Sequence, residues 1–442
     1  MKLSRIAHIV GGELLGADAE ASVETVIDSR ETPQRGLFAA LPGERVDGHE
    51  FVTTALDAGA AAALVSRPIE ARPVILVDDV PRAMGVLAAH HVATHREHLT
   101  VIAVTGSMGK TTTKDLLEGI LPERSVVTAK SYNNELGMPV TALRVTDSTP
   151  YLVLEMGADK RGDLDYLTSL VAPDIAVVLA VGSAHLEKFG DVEAVADAKA
   201  ELVRGLAPGG TAVLNAADPR VAAMATLARS VLFFGEGSGI RAENVSLDDS
   251  DRASFELITP AGSARVSLGL VGAHHITNAL AAAAAALTAG ISVTQIAAGL
   301  TGRTALSPHR MNLVERPDGV LVIDDSYNAN PQSMSAGIDV LARLGRDRRT
   351  IAVLGPMLEL GEASESEHRA IGEKIATLGI DVVHLLGETA ATIAPPGVET
   401  HVHQDLDGVR AALAEQVRSG DVILFKSSNG ARLHEVADEW AS

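Results

Sequence analysis

Residues 101–113 read Val-Ile-Ala-Val-Thr-Gly-Ser-Met-Gly-Lys-Thr-Thr-Thr, and a helical pattern follows them. Glycines let a backbone approach phosphate oxygens closely, and the free N–H groups of a helix start attract anions. Lys110 can reach terminal phosphates, and the Thr111 hydroxyl can bind Mg²⁺. An ordinary glycine-rich turn is the alternative, but such a turn needs no Lys-Thr-Thr. The stretch therefore predicts a strand, a phosphate loop of the short form Gly-x-x-Gly-Lys-Thr, and a helix.

Composition limits the class of protein. The 442-residue chain is 46% hydrophobic and 21% charged, as globular proteins are, and it is long enough for about two to four domains. A formal net charge of −20 argues against nucleic acid as a partner, because nucleic acid binding needs a basic face. The absence of cysteine excludes disulfides and zinc–thiolate sites. The longest apolar run, 279–287, is too short to span a bilayer, so we expect a cytoplasmic enzyme without membrane insertion.

Strand and helix patterns alternate along the chain in three blocks, at residues 1–82, 83–310 and 311–442. This alternation predicts largely parallel sheets with helices on both faces. The expected fold is α/β in three domains: a small N-terminal α/β domain, a central P-loop ATPase-like parallel-sheet domain and a C-terminal Rossmann-like domain. The strands are expected at 22–27, 36–41, 62–65 and 72–79; at 101–105, 151–155, 175–181, 211–215 and 231–234; and at 320–324, 351–355, 382–386 and 422–425. A hairpin at 252–270 is expected to attach to the central sheet.

Polar residues follow two of the predicted central strands. Ligands of parallel sheets bind at the carboxyl ends of the strands. Glu155, which ends the strand at 151–155, is therefore a candidate Mg²⁺ ligand, although a strand-end glutamate facing solvent is the simpler alternative. His185 lies at the same rim, after the strand at 175–181. Lys199 falls in a helical run and by pattern alone is an ordinary solvated lysine.

Two other groups of polar residues lie on predicted turns. The N-terminal turns at 28–30 and 42–49 are equally consistent with an anion or sugar site and with ordinary loop chemistry. A dense polar cluster at 324–331 ends the first strand of the third block.

These motifs, in this order, resemble the Mur ligases, which are ATP-dependent amide ligases that build the peptide of peptidoglycan precursors. The resemblance covers essentially the whole chain. It is most specific at residues 131–139, Ser-Tyr-Asn-Asn-Glu-Leu-Gly-Met-Pro, and 325–334, Asp-Ser-Tyr-Asn-Ala-Asn-Pro-Gln-Ser-Met. Both look like the branch that adds D-Ala-D-Ala to UDP-MurNAc-tripeptide through an acyl phosphate. The resemblance implies these two substrates, the cofactors ATP and Mg²⁺, and a monomer.

The resemblance also implies roles for individual residues. The implied catalytic residues are Lys110, His185, Lys199 and Arg310. The implied metal ligands are Thr111, Glu155, His185 and Lys199, the last of these as the carbamylated lysine of family members. The implied ATP-binding residues are Thr105, Gly106, Ser107, Met108, Gly109, Lys110, Thr111, Thr112, Asn278, Arg310, Asp325, Tyr327, Asn328 and Asn330. The implied substrate-binding residues are Ser29, Arg30, Asp47, Gly48, His49, Asn133 and Asn134.

Three single positions and one short stretch depart from the family pattern. His275 replaces an Asn, and His309 replaces a common Gly before Arg310. Pro356 replaces an Asp, and residues 426–429 read Lys-Ser-Ser-Asn instead of Lys-Gly-Ser-Arg. The last two lie in the domain that positions the incoming amine in the family. Two alternatives therefore stay open: a Mur-like ligase that joins a different acid or amine, and a nucleotide-binding switch without ligase activity.

Overall fold

The structure is a computed structural model that describes residues 1–43, 46–129, 131–182, 186–304 and 307–442. It is a mixed α/β protein built on three largely parallel sheets, which confirms the expected fold class. Within the described ranges, no helix combines the length and the apolar character that crossing a membrane would require.

The first sheet has five strands in the order β1-β5-β4-β3-β2, and all its pairs are parallel except β1 with β5. Its elements are α1 (Leu3–Val10), β1 (Glu13–Leu15), β2 (Thr25–Val26), β3 (Leu37–Ala39), α2 (Val52–Asp57), β4 (Ala62–Val65) and β5 (Val74–Leu76). A long helix, α3 (Val80–His95), follows and begins at the cap residue Asp79, whose side chain accepts from Arg82 N. Helix α3 packs both on α1 and on helices α5 and α6 of the next block, whose bounds follow.

The second sheet is entirely parallel, in the order β11-β10-β9-β6-β8-β7. Its first elements are β6 (Thr100–Thr105), α4 (Lys110–Ile120), β7 (Val126–Val127), α5 (Gly137–Ala142), β8 (Tyr151–Glu155), α6 (Asp163–Leu170), β9 (Ile175–Val178) and α7 (Leu186–Phe189). The next are α8 (Val192–Arg204), β10 (Thr211–Asn215), α9 (Pro219–Ala223) and β11 (Ser230–Phe234). Strand β6 lies inside the sheet and is almost entirely buried, so the phosphate loop starts from a rigid position.

The expected hairpin at 252–270 was wrong in one respect, because it belongs to a separate sheet. Strands β12 (Arg241–Leu247), β13 (Arg252–Thr259) and β14 (Gly262–Val271) form a three-stranded antiparallel sheet. Helices α10 (His275–Thr288) and α11 (Val293–Leu300) follow it. Residues 281–286 of α10 are all alanine and fully buried, and this small surface lets α10 pack closely against α4.

The third sheet has six strands in the order β15-β16-β20-β17-β18-β19, with only β15 antiparallel to its neighbour. Its elements are β15 (Asn312–Glu315), β16 (Leu321–Asp324), α12 (Pro331–Leu344), β17 (Thr350–Leu354), α13 (Ser364–Leu378), β18 (Val382–Leu386), α14 (Gly387–Ala391), β19 (Glu399–His403), α15 (Leu406–Gln416), β20 (Val422–Lys426) and α16 (His434–Ala441). The carboxyl ends of β16, β17 and β20 carry the polar loops that face the second sheet.

Candidate active site

The phosphate loop adopts the backbone that its glycines predict. Gly106 and Gly109 have φ angles of +154° and +80°, and Gly109 is the residue before helix α4. A Cβ on Gly109 would lie 2.2 Å from the Asn278 Oδ1 atom, so a side chain is excluded there by space as well as by conformation. Lys110 Nζ donates a 2.8 Å hydrogen bond to Gly106 O, which folds the lysine back over the loop. The loop is thus shaped to receive an anion at the start of α4.

A cavity of about 750 Å³ opens above this loop, between the second and third sheets. Most of the residues predicted to bind ATP line it, and they come from parts of the chain that are far apart. The predicted residues on its wall are Ser107, Met108, Gly109, Lys110, Thr111, Thr112, Asn133, Glu155, Asn278, Arg310, Asp325, Tyr327, Asn328 and Asn330.

Glu155 occupies the end of β8, beside the loop, and its side chain is almost fully buried. Its Oε1 atom accepts a 2.8 Å hydrogen bond from Asn133 Nδ2, and its backbone N–H donates to Thr128 Oγ1. The Oε2 atom is buried and has no hydrogen-bond partner among the residues that the structure describes. A buried carboxylate oxygen with no partner is costly, and a bound cation at the cavity wall would satisfy it.

Two buried lysines, Lys110 of the phosphate loop and Lys199 of α8, have lowered pKa values. Burial lowers the pKa of Lys110, while the negative charge of Glu155 opposes that shift. Burial, followed by the positive charge of Lys110, lowers the pKa of Lys199 to about 7. Lys199 lies on α8 and is only 2% exposed, so it is not the solvated helix lysine that its local pattern indicated. Near neutral pH a large share of this amine is uncharged and therefore nucleophilic.

Arg310 reaches the cavity from the linker between the second and third sheets. Its guanidinium lies over the Tyr327 ring, with Cζ 4.2 Å from the ring centroid, and Nη2 is 3.5 Å from Ser131 Oγ. The Nε atom is buried, and no hydrogen-bond partner for it lies within the described ranges. Stacking on the ring holds the charged group in place while its donors remain available to an anionic ligand.

Asp325 is held by a lysine whose role the sequence did not predict. Lys426, at the end of β20, is 1% exposed, and its Nζ atom lies 2.5 Å from Asp325 Oδ2 and 3.1 Å from Asn328 O. Met311 N donates to the other Asp325 oxygen at 3.2 Å. The sequence signal was a lysine directly after four apolar strand residues. The pair fixes Asp325 at the cavity wall.

Asn330 joins the third sheet to the phosphate loop. Its side-chain oxygen accepts from Ser333 N at 2.8 Å and so caps α12. Its Nδ2 atom donates to Ser107 O at 3.4 Å. The residue therefore positions the loop against α12, in addition to lining the cavity.

His274 and His275 also line the cavity, and sequence reasoning gave them no role there. His275 Nδ1 lies 3.2 Å from Asn278 Nδ2, and its Nε2 atom is buried without a partner in the described part of the chain. Burial holds the pKa of His275 well below its ordinary value, so the ring is neutral. This neutral ring occupies the position where the family pattern has an asparagine.

The described N-terminal candidates lie away from the wall of this cavity. Arg30 is paired with Asp28 at 2.6 Å. The Asp47 carboxylate accepts from His49 N and from Arg67, which keeps its pKa below the ordinary value. His49 Nε2 accepts from Ser66 N at 3.0 Å. Ser29 begins a 3₁₀ turn, and a Cβ on Gly48 would lie 2.7 Å from the backbone of Leu41.

The remaining candidates are Asn134, Thr105 and His185. Asn134 accepts from Gly137 N at 3.0 Å at the start of α5. Thr105 is fully buried at the end of β6, and its hydroxyl has no partner among the described residues. His185 lies outside the described residues.

Models of the Mur ligase family match the chain in three segments. The catalytic-domain model matches residues 24–92, the middle-domain model residues 104–286 and the glutamate ligase domain model residues 309–429. These segments together cover more than half of the chain.

Curated proteins and solved structures agree with these models. The UDP-N-acetylmuramoyl-tripeptide–D-alanyl-D-alanine ligase of Mycobacterium tuberculosis is 41% identical, over 99% of this chain and 97% of its own. The Escherichia coli ligase of the same name is 37% identical, over 98% and 97%. A crystal structure of MurF from Acinetobacter baumannii has a TM-score of 0.86 at 32% identity, over 99% and 97%. MurF ligase from Thermotoga maritima in complex with ADP has a TM-score of 0.79 at 31% identity, over 95% and 97%. The chain belongs to the MurF branch of the Mur ligase family.

Proposed function

We propose that this protein is an ATP-dependent amide ligase that adds D-Ala-D-Ala to UDP-N-acetylmuramoyl-tripeptide in peptidoglycan precursor synthesis. The observation that carries the proposal is the cavity in which the phosphate loop, Glu155, Arg310 and Asp325 meet. The identity of the relatives over the full length of the chain supports the two substrates. We further propose that the enzyme works in the cytoplasm as a monomer, with domains at 1–82, 83–310 and 311–442.

The chemistry needs ATP because a carboxylate is anionic and a poor electrophile. Attack of the substrate carboxylate on the γ-phosphate breaks the bond to the β,γ-bridging oxygen, which gives an acyl phosphate and ADP. Attack of the amine on the acyl carbon then expels phosphate, and the amine loses a proton as the amide forms. Lys110 and Arg310 stabilise the charge on the transferring phosphoryl group from two sides of the cavity. The backbone N–H groups of the phosphate loop and the start of α4 bind the phosphates that remain on the nucleotide.

The residues around the loop fit a divalent cation. The Thr111 hydroxyl and the buried Glu155 Oε2, which lacks a partner within the described ranges, are oxygen ligands of the kind that Mg²⁺ prefers. Bound there, Mg²⁺ would supply positive charge to the phosphate oxygens. Asn133 holds the Glu155 carboxylate in place through its 2.8 Å hydrogen bond, and His185 is proposed as a further ligand from the resemblance alone.

Lys199 is proposed to be carbamylated. Carbamate formation requires an uncharged amine that attacks CO₂, and a pKa of about 7 provides that amine at neutral pH. The product is an anion, so it would replace a repelling positive charge beside Lys110 by an attracting negative one. The modified side chain would then be an anion close to Lys110, although Lys199 itself lies outside the wall of the nucleotide cavity.

A ligase with another amine acceptor is the second candidate, and one group of residues favours it. Ser428 connects the loops at the ends of three strands: its backbone N–H donates to Pro356 O, its hydroxyl to Ala329 O, and its Oγ accepts from Leu358 N. The chain departs from the family pattern at Pro356, whose carbonyl Ser428 contacts, and at Ser427 and Asn429 on either side of Ser428. A change in these loops alters the wall that an incoming amine would meet.

The experiment measures ADP and phosphate release by the purified protein with Mg-ATP and UDP-MurNAc-tripeptide, with and without D-Ala-D-Ala, while the product mass is recorded. We expect release that depends on the dipeptide, and a product with the mass of the pentapeptide. Release that instead depends on a single amino acid would favour the second candidate. ATP binding without release under any pairing of acid and amine would overturn the ligase assignment and favour a nucleotide-binding switch.

A further inference from the structure

A cluster of metal-ligating side chains lies behind the linker, away from the nucleotide cavity. His309 Nδ1 is 2.7 Å from Asp324 Oδ2 and 3.8 Å from Asp438 Oδ1. The three atoms lie within 4.8 Å of one another, and no other group of three histidine or acidic side chains in the described ranges meets that limit. All three described residues lie outside the wall of the nucleotide cavity.

The three side chains come from three separate elements of the fold. His309 belongs to the linker and has a φ of +58°, so its backbone is in the left-handed region. Asp324 ends β16, and its Oδ1 atom accepts from Ser326, which turns Oδ2 toward His309. Asp438 lies on α16 with its side chain 62% exposed, so an ion can enter from solvent.

A second imidazole lies next to the cluster. His434 precedes Asp438 by four residues on α16, which places both on the same face of the helix. Its ring centroid is 5.5 Å from that of His309. Imidazole nitrogens combined with two carboxylates suit zinc and similar transition metals, whereas Mg²⁺ prefers oxygen ligands alone.

We propose that the protein binds a divalent transition-metal ion of the zinc class through His309, Asp324 and Asp438, and that the neighbouring His434 side chain moves toward the ion to become the fourth ligand. The ion joins the linker to β16 and α16. Because His309 is adjacent in sequence to Arg310, occupancy of this site orders the segment that carries Arg310 into the cavity. The site depends on His309, one of the positions at which the chain departs from the family pattern.

Cobalt titration tests the proposal directly. Full-length protein is stripped with EDTA and kept in excess Mg²⁺, and Co²⁺ binding is followed by its visible absorption. Zn²⁺ is then added as a competitor, and the thermal unfolding midpoint is measured with and without it. We expect one Co²⁺ with the intense absorption of a tetrahedral site, displacement by Zn²⁺, and a higher midpoint with Zn²⁺.

Two variants test whether His309 and Asp438 bind the metal ion. Asp438→Asn should weaken Co²⁺ binding by about tenfold or more, because it removes a ligand from an exposed position without disturbing the core. His309→Gly should remove the nitrogen ligand and with it the tetrahedral spectrum. Ligase activity of Asp438→Asn without transition metal should equal that of the wild type, since Asp438 lies outside the cavity.

Glu435→Gln is the matched control, because it makes the same kind of change on the same helix at a residue that pairs with Arg432. It should bind Co²⁺ like the wild type. Wild-type affinity in Asp438→Asn, or loss of Co²⁺ in Glu155→Gln but not in Asp438→Asn, would overturn the proposal. So would a wild-type protein that binds no Co²⁺, since the cluster would then be only a His–Asp pair.

Discussion

Gly109 is restricted twice, by its backbone conformation and by the side chain of Asn278. Its φ of +80° disfavours any residue with a Cβ, and a Cβ at this position would lie only 2.2 Å from Asn278 Oδ1. Gly209 has nearly the same φ, +84°, but no atom of the described residues lies within 4 Å of the Cβ it would carry. A comparison of substitutions at Gly109 and Gly209 therefore separates the effect of backbone strain from the effect of steric exclusion at the site.

Gly109→Ala should weaken ATP binding about tenfold or more, because the new methyl group displaces Asn278 and the loop. Gly209→Ala should leave ATP binding unchanged, although both variants lose about 1 kcal/mol of stability from the strained φ. Isothermal titration with ATP and thermal unfolding measure the two effects. Equal ATP affinities in the two variants would contradict the role assigned to Gly109.

Lys199→Ala should lose most ligase activity and recover part of it with formate or acetate, because a small carboxylate can occupy the place of the carbamate. Chloride at the same concentration is the control. In the wild type, the neutral amine fraction rises as pH rises through about 7. At a fixed concentration of dissolved CO₂, CO₂-depleted enzyme should therefore recover faster above that pH than below it. A fully active variant without added carboxylate would refute carbamylation.

At the scale of elements, strands β18 and β19 carry a histidine cluster that links stability to pH. His384 is fully buried, and its Nδ1 atom lies 3.0 Å from His403 Nε2. Burial, followed by the charges of His403 and His401, lowers the pKa of His384 to about 4. Below about pH 6.5 the unfolded chain therefore takes up a proton at this histidine, whereas in the folded protein the histidine stays neutral until the pH approaches 4.

This difference predicts that stability falls as pH drops from about 6.5 to about 4, by at most about 3 kcal/mol from this residue. His384→Leu should reduce that loss, because leucine takes up no proton in either state. His8→Gln, at an exposed position of α1, is the control. Thermal unfolding midpoints at neutral pH and near pH 5 test it. An unchanged pH dependence in His384→Leu would contradict the argument.

Long apolar strands could be predicted from the sequence, and short or half-exposed ones could not. Strands β6, β8 and β10 are continuous buried runs that end in polar turns, and their predicted positions were confirmed within one residue. Strand β7 has only two residues, and β19 reads Glu-Thr-His-Val-His with partial exposure. Such segments gain their strand conformation from a neighbouring strand rather than from their own pattern.

The residues of the candidate site could be predicted where they share one local motif, but not where distant parts of the chain meet. Residues on one motif, such as Lys110 and Thr111, could be assigned from local spacing. The pairs Lys426–Asp325 and Asn330–Ser107 could not, because each joins parts of the chain about 100 residues or more apart. Lys199 shows the limit most clearly, since its local pattern indicates a solvated residue and only tertiary burial changes its pKa.

At the scale of the whole molecule, a bidentate ion pair joins the second and third blocks. Arg343 on α12 donates to both oxygens of Asp251, at 2.6 and 2.8 Å, and the Asp251 side chain is 3% exposed. Arg349 pairs with Asp421 at 3.2 Å in a similar environment, but both of these residues belong to the third block.

Arg343→Met should lower stability by about 2 kcal/mol, because it leaves the buried Asp251 charge without its partner. It should also raise the KM for ATP, since Asp325 and Tyr327 would no longer be held against the phosphate loop. Arg349→Met should cost similar stability without changing that KM. Steady-state kinetics and thermal unfolding distinguish the two. Equal KM values for the two variants would show that the Arg343 pair has no part in assembling the cavity.

The continuity of helix α3 restricts where recombination between related genes can produce a folded protein. It runs unbroken from Val80 to His95, through the domain boundary predicted near residue 82, and packs on α1 at one side and on α5 and α6 at the other. A recombined gene that acquired a new N-terminal block would have to inherit this helix with matching surfaces on both sides. Crossovers after His95 should therefore yield folded chimaeras more often than crossovers inside the helix.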